Sequence, residues 1–332
     1  GIGRAQGFEE EWIAGAIISG AYFGDKISPL SDTTVLASGT LNVSIFKHIR
    51  YMLITTVPSL AISLIIFLIA GFCTVSTSSH EINQFTTALS SRFTITPWLL
   101  IVPLLTGVMI AKRLPPVVTL CLSTLLAVVF ALIFQPQVLA EIVDGNLFKG
   151  AMQSIYGETL VQTTNPMLTS LVATRGMQGM MNTIWLIICA MCFGGAMEAG
   201  GMVRSLTRLF VRMIRGRVSM VASTVCSGLK LNLAIADQYI CILLSNNMFK
   251  RIYDRQGYER CLLSRTTEDS VTVTSVLVPW NTCGMTQSTV LGVATLTYLP
   301  YCFFNILSPL MSVVVAMIGY KIQKKNVVEE EV

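Results

Sequence analysis

The sequence predicts an all-α polytopic membrane protein in which several membrane segments are broken or re-entrant and two breaks belong to an inverted repeat. Three observations predict it. Of 332 residues, 53% are hydrophobic and 12% charged, whereas a soluble domain is about a quarter charged. Five apolar runs approach the ~20 residues that cross a bilayer: Tyr51–Phe72, Pro97–Ala111, Val117–Phe134, Thr183–Gly201 and Tyr298–Tyr320. Three more are apolar enough to enter it yet carry breakers and polar groups midway.

The first broken element is Trp12–Phe46, interrupted at "GDKISPLSDTT". Tyr51–Phe72 follows Lys47 and Arg50 and leads to a polar external loop at Thr74–Thr94. Pro97–Ala111 returns to Lys112 and Arg113, and Val117–Phe134 leaves again. Residues 135–182 read as an external connection with a re-entrant piece around Ala151–Ala173. Thr183–Gly201 comes back to Arg204, Arg208, Arg212 and Arg215, whose spacing beside Leu206, Leu209, Phe210 and Val211 predicts an amphipathic helix on the inner leaflet. The second broken element, Val218–Phe249, is interrupted at "SGLKLN" and encloses Lys230 and Asp237. The third, Ser264–Thr297, is interrupted at "PWNTCG", and Tyr298–Tyr320 then runs to Lys321, Lys324 and Lys325.

Positive residues favour the cytoplasmic side. This alternation puts seventeen of the 23 basic residues there, including Arg265. Arg4, Arg92, Lys149 and Arg175 fall outside, and Lys26 and Lys230 within the membrane. The expected protein is therefore a multi-pass protein of the cytoplasmic (inner) membrane with a cytoplasmic C-terminus. Its single transmembrane domain spans 1–332: a first-repeat portion at 1–134 broken at 24–34, the connection at 135–182, a second-repeat portion at 183–325 broken near 228–232 and 279–284, and a tail at 326–332. The chain opens at Gly1 on a short, motif-rich apolar stretch, which predicts a fragment lacking upstream membrane helices.

Several function classes are disfavoured. The net charge of +5 is spread over loops, so no nucleic-acid patch forms. The cysteines fall mostly in apolar runs, where Cys packs as a small hydrophobe, and two histidines, His48 and His80, are too few for zinc or haem. No Ser nucleophile with a His partner and no phosphate-cradling loop occurs. Neither an enzyme nor a bound cofactor is expected.

The breaks carry the chemistry. A backbone group freed in lipid costs several kcal/mol, and an ionisable side chain there roughly 2.5–3.5 kcal/mol. Both costs at one place mark a site. Helix C-terminal carbonyls and carboxylates together offer what a small cation needs. "SPLSDTTVLAS" and "VPWNTCGMTQS" resemble one another and run antiparallel, as in an inverted-repeat secondary transporter with a midplane site.

Asp32 reads as a cation ligand and proton acceptor in turn, or as the N-cap of the next half-helix. Asp237 reads as a second ligand, or as the partner of Lys230. Lys26 pairs with Asp32 across the turn or takes a separate partner from Asp25. Asp25, Ser28, Ser31, Thr33, Thr34, Asn281 and Thr282 complete the candidate oxygen shell, with Asp32 and Asp237 as the carboxylates that hold the cation. Glu268 and Asp269 read as helix-start residues suited to the dipole, and Glu198 as a residue reaching the interface.

"GAIISGAYFGDKISPLSDTTVLAS", "NLAIADQYICILLSNNMF" and "SVLVPWNTCGMTQSTVLGV" resemble the NhaC family of sodium/proton antiporters over essentially the whole chain. The resemblance implies a secondary carrier with inverted repeats and broken helices that exchanges Na⁺ for H⁺ by alternating access. Some relatives exchange malate and Na⁺ for lactate and H⁺ instead. The family's polar motifs fall on Asp25, Lys26, Ser28, Ser31, Asp32, Thr33 and Thr34, on Asp237, and on Pro279, Trp280, Asn281 and Thr282. The partners it implies are Na⁺, H⁺ and the bilayer, with self-association open. A coupled organic-anion carrier is the alternative, and a passive channel or non-transporting membrane protein the remaining one.

Overall fold

The computed structural model describes residues 3, 7–29, 31–73, 87, 89–112, 114–143, 145–159, 161, 169, 172–174, 176–202, 214 and 216–322. These are helical, with one isolated antiparallel bridge between Thr159 and Thr174 and no strand among them. The helices are α1 (Glu10–Ile27), α2 (Asp32–Thr40), α3 (Ile45–Cys73), α4 (Ile101–Ala111), α5 (Pro116–Phe134), α6 (Pro136–Ile142), α7 (Leu147–Tyr156), α8 (Met181–Ala199), α9 (Arg217–Ile235), α10 (Gln238–Arg255), α11 (Arg260–Thr267), α12 (Thr282–Leu291), α13 (Thr295–Tyr298) and α14 (Phe303–Ile318). Ile45–Phe72, Val117–Phe134 and Arg217–Ile235 are long and apolar enough to cross a membrane. Thr295–Tyr301 with Phe303–Ile318 makes a fourth span if that bent pair is counted as one.

The chain divides into two compact units, Gly1–Phe8 with Val75–Asn182, and Glu9–Thr74 with Thr183–Val332. The first holds α4 to α7. Here α4 and α5 form a hairpin pinned by Thr106 Oγ1 and Ser123 Oγ at 2.9 Å. The α6–α7 corner is tight: a Cβ on Gly150 would stand 2.1 Å from the Leu139 carbonyl oxygen. Only 6% of the apolar window of α5 is buried within the protein. An all-round apolar, outward-facing helix is what hydrocarbon solvates and water does not. Arg92 and Glu141 pair at 2.9 Å in this unit.

The second unit surrounds a polar centre. α14 lies against α3, α9 and α1, while the π-helical segment Glu268–Thr272 is enclosed by α9, α10, α11, α14 and α2. One apolar cluster joins Tyr51, Met220, Val225, Phe249, Tyr253 and Leu262, and a second joins Ala37, Leu231, Ile235 and Ile242. Trp12 stacks beside Tyr301 and Phe303, with ring centroids 4.8 and 5.8 Å away, and fastens α1 to the start of α14.

Three expectations change. α9 runs unbroken through "SGLKLN", and the interruption comes at Ala236–Asp237. Gly228 is there for closeness: a Cβ would stand 2.7 Å from Ser270 Oγ and 2.9 Å from Val271 Cγ2. Tyr298–Tyr320 is not one straight span, because the chain bends by 58° between Tyr301 and Phe303. Arg265 is no cytoplasmic loop residue; it is fully buried, its guanidinium 4.7 Å over the Tyr51 ring. The expected helix at Arg204–Arg215, the side chain of Glu198, and much of the re-entrant piece at Ala151–Ala173 lie outside the described residues.

Candidate functional site

Five helix ends of the second unit meet, and each end has a local cause. α1 stops at Ile27 because Ser28 precedes Pro29, which pushes it to extended dihedrals (φ −79, ψ 126). α2 starts at Asp32, whose Oδ1 accepts from the Thr33 N–H at 3.0 Å. α9 stops where Ala236 turns left-handed (φ 63, ψ 4). Asp237 then caps α10, its Oδ1 accepting from Ile240 N–H at 3.0 Å, a use of Asp strongly favoured at N-caps. Asn281 caps α12 in the same way through Cys283 N–H at 3.1 Å.

The α9–α10 break and the break before α12 cross. Thr282 N–H donates to the Ala236 carbonyl at 2.8 Å, and Trp280 Nε1–H donates to the Leu233 carbonyl at 2.8 Å. These bonds satisfy backbone groups that a break in lipid leaves open. Gly284 lets α12 fold back on the chain that leads into it, since a Cβ there would lie 2.1 Å from the Val278 oxygen.

A cavity of ≈ 610 Å³ opens at this junction. Its walls are Tyr22 and Asp25 at the end of α1, Asp32 and Thr33 opening α2, Asp237, Gln238 and Tyr239 opening α10, and Thr282, Thr286 and Gln287 on α12. The Tyr239 hydroxyl donates to Asp32 Oδ2 at 2.7 Å, and the Thr33 hydroxyl donates to Asp25 Oδ2 at 3.4 Å. Among the described residues no Lys, Arg or His lines it.

The half-helices present mainly their N-termini, with the C-termini of α1 and α9 beside them, rather than chiefly the C-terminal carbonyls expected from the sequence. Three N-termini carry about +0.5 charge each. Set against Asp25, Asp32 and Asp237 when ionised, and the C-termini of α1 and α9 at about −0.5 each, they leave the cavity negative by about 2.5 charges. It favours cations over anions.

Of the residues singled out in the sequence, Asp25, Asp32, Thr33, Asp237 and Thr282 line the cavity, and Ser31 touches it through Thr33, the two hydroxyl oxygens 3.0 Å apart. Ser28 and Thr34 serve the turn: Ser28 N–H donates to the Asp25 carbonyl at 3.1 Å, and Thr34 Oγ1 to the Lys26 carbonyl at 3.5 Å. Asn281 is fully buried, its Oδ1 engaged in the cap and its Nδ2 without a hydrogen-bond partner. Lys26 does not meet Asp32. It turns inward, 1% exposed, to an ion pair with Asp269, donates to Ser308 Oγ at 3.0 Å, and stands 5.7 Å over the Phe304 ring. Lys230 is exposed on α9.

Glu268 and Asp269 are likewise not caps. They sit in the π-helical turn Glu268–Thr272, deep in the unit and fully buried. Ser308 Oγ donates to Asp269 Oδ1 at 3.1 Å, and Ser312 Oγ donates to Oδ2. Two sequence signals mark this second polar group. "SRTTEDS", Ser264–Ser270, is seven consecutive polar residues inside an apolar region, and all are fully buried. Asn305, Ser308 and Ser312 recur on one face of an otherwise apolar helix, and they too are fully buried. Tyr22 and Tyr239 gave no such signal, because an aromatic ring in an apolar run reads as packing.

The chain was compared with known proteins. The profile of the Na⁺/H⁺ antiporter family matches residues 20–320. The Na⁺/H⁺ antiporter NhaC of Bacillus subtilis is 34% identical over 96% of this chain and 69% of its own length. NhaC of Alkalihalophilus pseudofirmus is 34% identical over 98% of this chain and 69% of its own. The malate-2H⁺/Na⁺-lactate antiporter of B. subtilis is 30% identical over 99% and 69%. No solved structure matches. With a profile covering most of the chain and NhaC relatives alike along nearly all of it, this multi-pass membrane protein belongs to the Na⁺/H⁺ antiporter family.

Proposed function

We propose that the protein exchanges Na⁺ for H⁺ across the cytoplasmic membrane by alternating access, with Na⁺ held in the cavity where α1, α2, α10 and α12 end. The observation that carries this reading is the lining: three carboxylates and several hydroxyls, with no basic side chain among the described residues. Na⁺ is a hard cation that takes oxygen ligands, by analogy with the other hard cations. Asp32 and Asp237 are the leading ligands, Asp25 adds charge, and Thr33 and Thr282 offer neutral oxygens. Cation entry relieves the repulsion between Asp25 and Asp32, which lie within each other's field.

The antiparallel breaks at 28–31 and 278–281 are read as the cores of two inverted repeats, one repeat moving against the other around the cavity. The basic ends, with Lys47, Arg50 and Lys321, face the cytoplasm, which also puts the C-terminus inside.

In everted vesicles or proteoliposomes carrying the full-length protein, added Na⁺ should collapse an imposed pH gradient. Asp32→Asn should abolish the response while leaving the protein inserted. Inserted, folded protein that leaves the gradient unchanged on addition of Na⁺ sinks the reading. A second reading, coupled carriage of an organic anion, draws on the three helix N-termini, which bind carboxylates when no side chain occupies them. Uptake of labelled malate or lactate separates the two, and none is expected.

A further inference from the structure

Glu268 is the residue the cavity leaves unexplained. It is fully buried, and neither carboxylate oxygen has a hydrogen-bond partner. Thr272, close by in the same segment, stands near without completing a bond, and its own hydroxyl is also unpartnered. Asp269, the next residue, is bonded on both oxygens. Two adjacent carboxylates have thus been treated in opposite ways. A buried ionised carboxylate without bonds is among the most expensive groups a protein can hold, whereas a neutral carboxyl there is tolerable. Its setting therefore responds to a proton rather than to packing. A π-helical turn, a form concentrated at functional sites, carries it.

The charged groups whose fields reach Glu268 are Lys26 and Asp25 on α1 and its neighbour Asp269. Arg265, one turn earlier, is buried over Tyr51 with all three guanidinium nitrogens unpartnered. The other enclosing elements add little. α14 carries no ionisable side chain, Asp32 of α2 is engaged by Tyr239, Lys230 of α9 is exposed, and Tyr253 of α10 shares its hydroxyl with Thr224. Asp25 is the link that matters, because it also lines the cavity. A negative charge on Glu268 repels Asp25 and strengthens the pull on a cation that neutralises it. A proton on Glu268 removes that contribution.

We propose that Glu268 is the proton-binding site of the exchange, separate from the cavity that takes the cation. This rests on the cation-exchange reading above. One proton adds to a Glu268 carboxylate oxygen as Na⁺ leaves the cavity, and the same proton dissociates as Na⁺ binds, so charge and protons balance. Linkage makes the effect reciprocal: a proton that weakens Na⁺ binding is itself weakened by Na⁺ to the same degree.

The test is ²²Na⁺ binding to the purified full-length protein over a range of pH. In the unaltered protein the Na⁺ dissociation constant should rise by up to about tenfold per unit of pH fall, the slope of one linked proton. Glu268→Gln should flatten that profile at the acid-side value and abolish Na⁺-driven proton flux. Glu268→Asp should restore flux with a displaced midpoint. A Glu268→Gln profile that keeps its slope overturns the proton site while leaving Na⁺ exchange standing. If Glu268→Gln does not insert, Glu268→Asp decides: a displaced midpoint supports the site and an unmoved one overturns it. Unaltered protein that binds no ²²Na⁺ sinks both readings.

Discussion

Asp25 and Lys26 are neighbours in the chain and part company in the fold. Asp25 faces the cavity, while Lys26 turns into the protein to Asp269, Ser308 and the Phe304 ring. Residues one apart on a helix point about 100° away from each other, so one helix end can supply a ligand to the cavity and a cation to the interior. The pair's worth follows from its burial. Bringing two charges in from water costs about as much as their attraction returns, so removing both is far cheaper than removing one. Lys26→Met should therefore destabilise by about 3–5 kcal/mol, leaving Asp269 charged and buried. Asp269→Leu should do the same, whereas the double variant should recover most of that loss. Thermal unfolding in detergent measures all three, and additive losses would contradict the pairing.

At the scale of elements, the sequence marked where helices break better than it marked why. Pro29 and Pro279 advertise their breaks because proline and the residue before it resist helix. Ala236 does not, since nothing in its side chain favours the left-handed turn it makes. Gly228 pointed the wrong way: a glycine amid polar residues resembles a breaker, yet it serves the approach of α9 to Ser270 and Val271. The glycines separate cleanly by what surrounds them. Gly20 in α1 has nothing within 4 Å of an added Cβ, whereas at Gly284 that atom would meet the Val278 oxygen at 2.1 Å. Gly20→Ala should stabilise by up to about 1 kcal/mol through helix propensity. Gly284→Ala should destabilise by about 1–3 kcal/mol from overpacking. It should also slow exchange, because the backbone that must move carries Thr282, Thr286 and Gln287. Melting and exchange rate measured on both variants check the contrast, and a harmless Gly284→Ala would show that the close approach of α12 to Val278 is not needed by the site.

At the scale of the whole molecule, the membrane class is written in composition and run length, which need no contacts to be read. Asp32 and Thr282 were legible because each sits at a break that proline signals, and Asp237 because a lone carboxylate in an apolar run marks itself. The Lys26–Asp269 pair was not, because its partners are 243 residues apart and only the assembled fold brings them together. Orientation lies between these cases. Loop charge assigns Lys47, Arg50 and Lys321 to one side, and in the fold those three line a single pocket of ≈ 420 Å³. Positive charge is retained on the cytoplasmic face, so this pocket should open inward. Lys47 is 53% exposed and paired with Glu259 at 2.9 Å, an exposed pair worth about 0.2–1 kcal/mol. Its replacement should leave the fold intact. Lys47→Cys and Lys321→Cys in sealed vesicles should therefore both react with a membrane-impermeant maleimide from the cytoplasmic face only, against the unaltered chain as background. Labelling of the two from opposite faces would break the shared pocket and the assigned orientation together, whereas joint labelling from the outer face would invert the orientation and keep the pocket.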